Sequence, residues 1–294
     1  MSMSKRAARR NQGIGLFEGF NYVFLFLIAI IMTFPFLYVF SISISSYRDY
    51  LEHGFTLIPK SFVLDAYEYI LASSRFVRSL FVTVEITVIG TLVNLLFTTT
   101  FAYVLARPII GQRIMMFLVV FTMMFSAGMI PTYLVVKGTG LLNSIWALII
   151  PAAINSFNLV VVRQFFLNIP RELSEAATID GANDLHIFAQ IMLPLSKPAL
   201  AAFGLFYAVA HWNNYFTGIL YLNDPADWPI QVILRQMVIV NEPLAALNMP
   251  REFAPPGETV QMAATLVATL PILILYPFLQ KHFVKGVMLG SVKG

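Results

Sequence analysis

The chain has 294 residues, of which 58% are hydrophobic and only 12% charged, and its mean hydropathy of +0.76 excludes an ordinary soluble globular domain. The lack of any cysteine excludes a disulfide scaffold and a thiolate metal site. A net charge of +4 raises the question of nucleic acid, but the basic residues are spread through loops beside apolar stretches. That is the pattern of a membrane orientation signal, not of a nucleic-acid face.

Residues 1–19 form a basic N-terminal segment with Lys5, Arg6, Arg9 and Arg10. The apolar stretch 20–44 that follows is too long for a signal h-region and lacks a small-residue cleavage site, so it reads as a retained anchor. Five further stretches, at 79–106, 114–136, 143–162, 197–221 and 259–280, are each long enough to cross about 30 Å of hydrocarbon. Six spans put both termini on one side. With the N-terminus cytoplasmic, twelve of the 19 Lys and Arg residues fall inside, mostly in short segments next to span ends. This orientation makes the stretch 164–196 a cytoplasmic loop. The outer segments 45–78 and 222–258 are too short for independent domains and are expected to cap the outer mouth. With no repeat, low-complexity tract or linker, residues 20–294 read as a single all-α transmembrane domain.

The loop has its own local logic. Pro170 fixes a helix start, where its missing N–H costs nothing. Leu173, Ala176 and Ala177 then make a narrow apolar stripe, kept flat by the two alanines, with Glu175 beside it. Gly181 lies where a left-handed C-cap ends the helix. Asn183 is placed to cap a second short helix with Leu185, Phe188, Ile191 and Met192 on one face. Pro194 and Pro198 punctuate the entry into the next apolar stretch. The whole reads as helix, sharp turn, helix.

The run Glu175-Ala176-Ala177-Thr178-Ile179-Asp180-Gly181-Ala182, continued by Phe188, Ile191, Leu193, Pro194 and Pro198, meets all eleven specified positions of the pattern E-A-A-x-x-D-G-A-x5-F-x2-I-x-L-P-x3-P. It resembles the EAA loop of permease subunits in ABC importers. Ala102-Tyr103-Val104-Leu105-Ala106-Arg107 resembles the A-Y-x-L-A-R ending of carbohydrate-importer permeases, and the tail Phe283 to Gly294 is similar to their F-V-K-G-x3-G-x-V-K-G terminus. His211-Trp212-Asn213-Asn214-Tyr215-Phe216 with Trp228-Pro229-Ile230-Gln231 resembles the oligosaccharide and polysaccharide branch of this maltose-type family.

The resemblance implies a type I ABC importer permease fold with six transmembrane helices and both termini cytoplasmic, in the bacterial cytoplasmic (inner) membrane. It implies a second homologous permease, two ATP-binding subunits that carry the ATP and Mg, an extracytoplasmic solute-binding protein and a saccharide substrate. No cofactor is expected in this chain. On this footing Glu175 is the ionic contact to the ATPase, Ala176 and Ala177 the docking face, Gly181 the turn, and Asp180 a local stabiliser of that turn.

The chain has no G-x4-G-K-[ST] loop, no clustered metal-ligand spacing among its four histidines and no G-x-S-x-G, so no catalysis is expected of it. A saccharide path needs amides for hydroxyls and aromatic faces for pyranose rings. Asn94, Asn155, Asn158, Trp212, Asn213, Asn214 and Tyr215 are the candidate lining set; helix–helix glue is the competing role for the amides and the interfacial belt for the aromatics. Glu85 is the acidic residue well inside a predicted span, either functional or paired with Arg78. Import of a non-sugar solute, and ion-coupled secondary transport, are the alternative readings.

Overall fold

The computed structural model describes residues 16–46, 49–50, 52, 54, 58–238 and 257–290. The basic N-terminal residues Lys5 to Arg10, the stretch 239–256 of the second outer segment and the side chains of the C-terminal motif lie outside the described residues. Among those described the fold is all-helical, with one isolated antiparallel bridge between Ser45 and Phe62.

The chain divides into two compact units. The first spans residues 1–70 and 250–266. It contains helix α1 (Leu16–Ser43), the start of α2 (Asp65–Ala72) and the first turns of the final helix. Ile42, Ala66, Ile70, Val260, Ala263 and Ala264 are buried there. Tyr67 Oη meets Ser43 Oγ at 2.8 Å, and the Asp49 carboxylate accepts from the Ser61 backbone N–H at 2.8 Å.

The second unit spans residues 71–249 and 267–294 and is organised around α3 (Ser74–Ala106). Ser73 caps its start by accepting the Phe76 N–H. Several of its hydroxyls fold back onto the helix, Thr83 to Ser79 O and Thr99 to Leu95 O, while the buried Thr87 and Thr91 hydroxyls have no partner among the described residues. The helix ends at Arg107, which is extended because Pro108 follows. Next come α4 (Gln112–Met124), α5 (Met129–Gly138), α6 (Trp146–Ile149) with a 3₁₀ turn at Ile150–Ala152, and α7 (Ser156–Leu167). The loop holds α8 (Arg171–Ile179) and α9 (Asp184–Ile187), which runs through a π-helical stretch, Phe188–Met192, into a last turn at Leu193–Leu195. Then come α10 (Lys197–Trp212), α11 (Phe216–Tyr221), α12 (Ile230–Val238) and α13 (Gly257–Gly290). Helix α3 packs most extensively on α10 and α7.

Three helices are continuous over a membrane-spanning length: 17–43, 74–106 and 257–275. The stretch expected as one span at 114–136 is instead two helices, separated at 125–128, where Gly128 has φ +84°. The stretch 143–162 breaks after Ala152 with a 55° bend, at Pro151 and the Asn155 cap. The stretch 197–221 is interrupted at 213–215, and its start bends by 83° from the preceding segment 184–195. At the break after Ala152 side chains meet the backbone groups it frees: Asn94 donates to Ala152 O, and Tyr207 Oη accepts the Asn155 N–H at 3.4 Å.

Candidate coupling surface and translocation path

Helix α8 starts directly after Pro170, and no residue in it is buried. It closes with paired bonds from Gly181 N–H to Thr178 O at 3.0 Å and from Ala182 N–H to Ala177 O at 2.9 Å. This is a Schellman cap, with Gly181 in the left-handed region at φ +84°. Asp180 is the C-cap residue. Asn183 then caps α9 by accepting the His186 N–H at 2.8 Å. The helix, turn and second cap read from the sequence are those observed.

The faces differ in two respects. Ala176 is exposed, but Ala177 is half-buried and packs with Ala182 against the buried cluster around Tyr103, Phe166 and Phe188. The small size of Ala177 therefore lets α8 approach its own fold, and the outward apolar surface consists of Leu173, Ala176 and Ile179, the last 86% exposed. In the second helix Leu185 does not share a face with Phe188 and Met192. It is 73% exposed while Ile187 is buried, so the inward face of this segment runs through Ile187, Phe188 and Met192, which join the buried cluster. Glu175 is exposed and lines a cavity of about 240 Å³ with Arg107, Arg171 and Tyr103.

The sequence reading treated Tyr103 and Arg107 only as part of a motif, yet they hold the loop in place. Tyr103 Oη donates to Asp184 O at 3.2 Å, and Arg107 Nη1 forms an ion pair with the Asp184 carboxylate. The Arg107 guanidinium lies 4.5 Å from the Tyr103 ring centroid. Rings of Phe166 and Phe188 pack on Tyr103 at 6.4 and 5.0 Å. Arg163 Nε and Gln112 Nε2 both donate to Leu105 O, which occupies a helix-end carbonyl. Arg107→Ala is expected to speed amide exchange across residues 184–192 while leaving α7 unchanged, as read by hydrogen–deuterium exchange mass spectrometry.

The candidate path residues separate into two groups. Asn94 is 1% exposed, and its amide is fully engaged, donating to Ala152 O and accepting from His211 Nε2 at 2.6 Å. That network places the proton of His211 on Nε2. Asn94 is therefore glue between α3, α10 and the helix break, and offers nothing to a passing solute. Trp212 is likewise buried, its indole N–H donating to Ala268 O at 2.9 Å. Asn158 is buried, and its backbone N–H is capped by the side chain of Asn155, so the two are cap and capped, not two amides on one continuous helix face. Asn155 and Asn213 are exposed, and Tyr215 is half-exposed. Asn214 Oδ1 accepts the Thr217 N–H, and its Nδ2 donates to Thr217 Oγ1.

Glu85 lies on the exposed face of α3 with Phe81, Val84 and Val88. It is not paired with Arg78, which instead donates to Ala226 O at 2.8 Å and to Asp227 Oδ1 at 3.0 Å. Among the described residues no His, Asp or Glu cluster could hold a metal ion.

Residues 86–289 match the family described as the binding-protein-dependent transport system inner membrane component. The chain belongs to this permease family. The permease is 53% identical over 282 residues to the polygalacturonan/rhamnogalacturonan transport system permease protein YtcP of Bacillus subtilis (strain 168), covering 95% of this chain and 99% of that one. It is 49% identical to protein LplC of the same organism, again over 95% of both chains. Among solved structures it superposes with TM-score 0.84 and 34% identity on a chain of a bacterial ABC transporter involved in the import of the acidic polysaccharide alginate, covering 96% of this chain and 99% of that one. A second chain, from a bacterial alginate ABC transporter in complex with a pentasaccharide-bound periplasmic protein, shares the fold at TM-score 0.53 and 15% identity. The permease is thus a membrane transport subunit and not an enzyme, which removes the ion-coupled alternative.

Proposed function

We propose that this permease supplies half of the translocation pore of an ATP-driven importer for an acidic oligosaccharide or polysaccharide fragment. The observation that carries the coupling half of this reading is the Schellman-capped α8, which seats Ala177 on its own fold and leaves Glu175 and Ala176 outward and exposed. Two ATP-binding subunits, carrying ATP and Mg, would dock there; a second homologous permease would complete the pore, and an extracytoplasmic solute-binding protein would deliver the saccharide. The substrate class is supported by the similarity to YtcP, named for polygalacturonan and rhamnogalacturonan, and to the importer of the acidic polysaccharide alginate.

In this reading the chain crosses the bacterial cytoplasmic membrane six times with both termini inside. The segments assigned to these crossings are the three continuous helices, the bent α6–α7 pair, α10 with α11, and α4 with α5. Asn155, Asn213 and Tyr215 are the members of the lining set with side chains open to a solute. Glu85, on an apolar face where an isolated carboxylate is costly, faces the second permease or the aqueous path instead of lipid.

Glu175→Lys tests the docking assignment. Co-purification of the ATP-binding subunits with the permease is expected to fall by at least about 10-fold, as reversing one partner of a charged interface contact costs more than about 1.4 kcal/mol. Unchanged recovery would remove Glu175 from the interface.

A further inference from the structure

Helix α12 is strongly two-sided. It buries Ile230, Val232, Ile233 and Met237 and is pinned at its start, where the Ile230 N–H donates to the buried Thr83 Oγ1 at 2.7 Å. That anchoring fixes which way its polar side faces and leaves Arg235 exposed. The Arg235 guanidinium carbon lies 4.7 Å from the ring centroid of Tyr215. Tyr215 in turn stands at the 213–215 interruption between α10 and α11, next to the exposed amide of Asn213.

Three other arginines are engaged in bonds that fix them to the fold. Arg78 is bonded to Asp227, Arg107 to Asp184 and Arg163 to a backbone carbonyl. No carboxylate among the described residues pairs with Arg235. The cation–π contact with Tyr215 leaves the guanidinium without a carboxylate partner among the described residues, and its planar fork of N–H donors suits bidentate capture of a carboxylate. An aromatic face that orients an arginine also lowers the entropy lost when the fork engages an anion.

We infer that Arg235, oriented by Tyr215 and flanked by Asn213, is a carboxylate-binding station that selects uronate-type saccharides over neutral ones. The inference rests on the proposed importer function and names the residue that makes it charge-selective. A uronate carboxylate takes both in-plane donors, while the Asn213 amide is free for a ring hydroxyl. A neutral sugar gains only the amide contact.

The test uses the complete importer, with both permeases, the ATP-binding subunits and the binding protein, reconstituted in proteoliposomes. Uptake of a galacturonate trisaccharide is compared with that of its methyl ester. Arg235→Gln is expected to raise KM for the acid about 10- to 100-fold, the range for losing hydrogen bonds to a charged group, with little change for the ester. Arg235→Lys is expected to recover part of that loss, because charge remains without the planar fork. Tyr215→Leu, which removes the ring, should share the arginine defect, and Tyr215→Phe, which keeps the ring, should show a smaller rise in KM for the acid than Tyr215→Leu. Recovery of the assembled complex, measured for each variant, separates transport effects from misfolding. An unchanged KM for the acid in Arg235→Gln, or an equal rise for acid and ester, overturns the assignment. Failure of the unsubstituted importer to take up either sugar would instead overturn the importer's proposed substrate class.

Discussion

Gly181→Val is expected to separate ATP turnover from solute movement in the reconstituted importer, lowering transport per ATP about 5- to 100-fold, the scale of typical coupling energies. A Cβ at Gly181 would meet nothing within 4 Å, so steric crowding plays no part. The whole effect comes from the backbone. At φ +84° a β-branched residue pays about 1–3 kcal/mol, and the Schellman bonds of Gly181 and Ala182 to α8 are what that cost opposes. Opening the cap would reorient α8 relative to α9 without touching Glu175. Gly181→Asn serves as the control, since asparagine tolerates the left-handed region, and it should retain most coupling. Equal transport per ATP in the valine variant would show that the turn can be remade in another geometry.

Gly90→Ala is expected to cost more stability than alanine at any other described glycine. The new Cβ would lie 2.5 Å from His211 Nε2 and under 3 Å from two further atoms of that ring. The imidazole cannot swing aside freely, because it is buried and bonded to Asn94 Oδ1. Displacing it leaves a buried amide oxygen without a donor, about 1–3 kcal/mol, in addition to an overpacking cost of about 1–3 kcal/mol. The variant should show a lower melting temperature in detergent and poor recovery of intact protein. Adding His211→Ala restores the space but not the bond, so the double variant should fall between Gly90→Ala and the unsubstituted chain. A double variant no more stable than Gly90→Ala would show that the ring is not the obstacle.

What could be read from the sequence was mostly local. The cap at Gly181 and the second cap at Asn183 depend on residues within one turn of each other, and both stand where the pattern placed them. Hydropathy found the apolar stretches but reports composition, not continuity. It merged α4 with α5 across Gly128 and carried 143–162 through the break after Ala152, although Pro151 and Asn155 both marked that break. The outward turn of Leu185 goes with the seating of Ile187 and Phe188 on the cluster around Tyr103 and Phe166, a contact with distant residues that local periodicity does not announce. The pairings of Asn94 with His211 and of Arg107 with Asp184 join residues 117 and 77 positions apart. A single chain of letters contains no signal for such partners, so Asn94 looked as available to a sugar as Asn213 is.

Helix α3 is the unbroken element of its unit. Its 33 residues, at 1.5 Å each, make a rod about 50 Å long. One end is tied by Arg78 to Ala226 and Asp227, the other by Tyr103 and Arg107 to Asp184. Between them the neighbouring α6–α7 and α10–α11 pairs have joints, and α3 has none. A rod pinned at both ends does not store a displacement; it delivers it. A shift of α9 by an ångström therefore reaches the Ala226–Asp227 corner as a shift of the same element, with no slack in which the two ends could hold contradictory states.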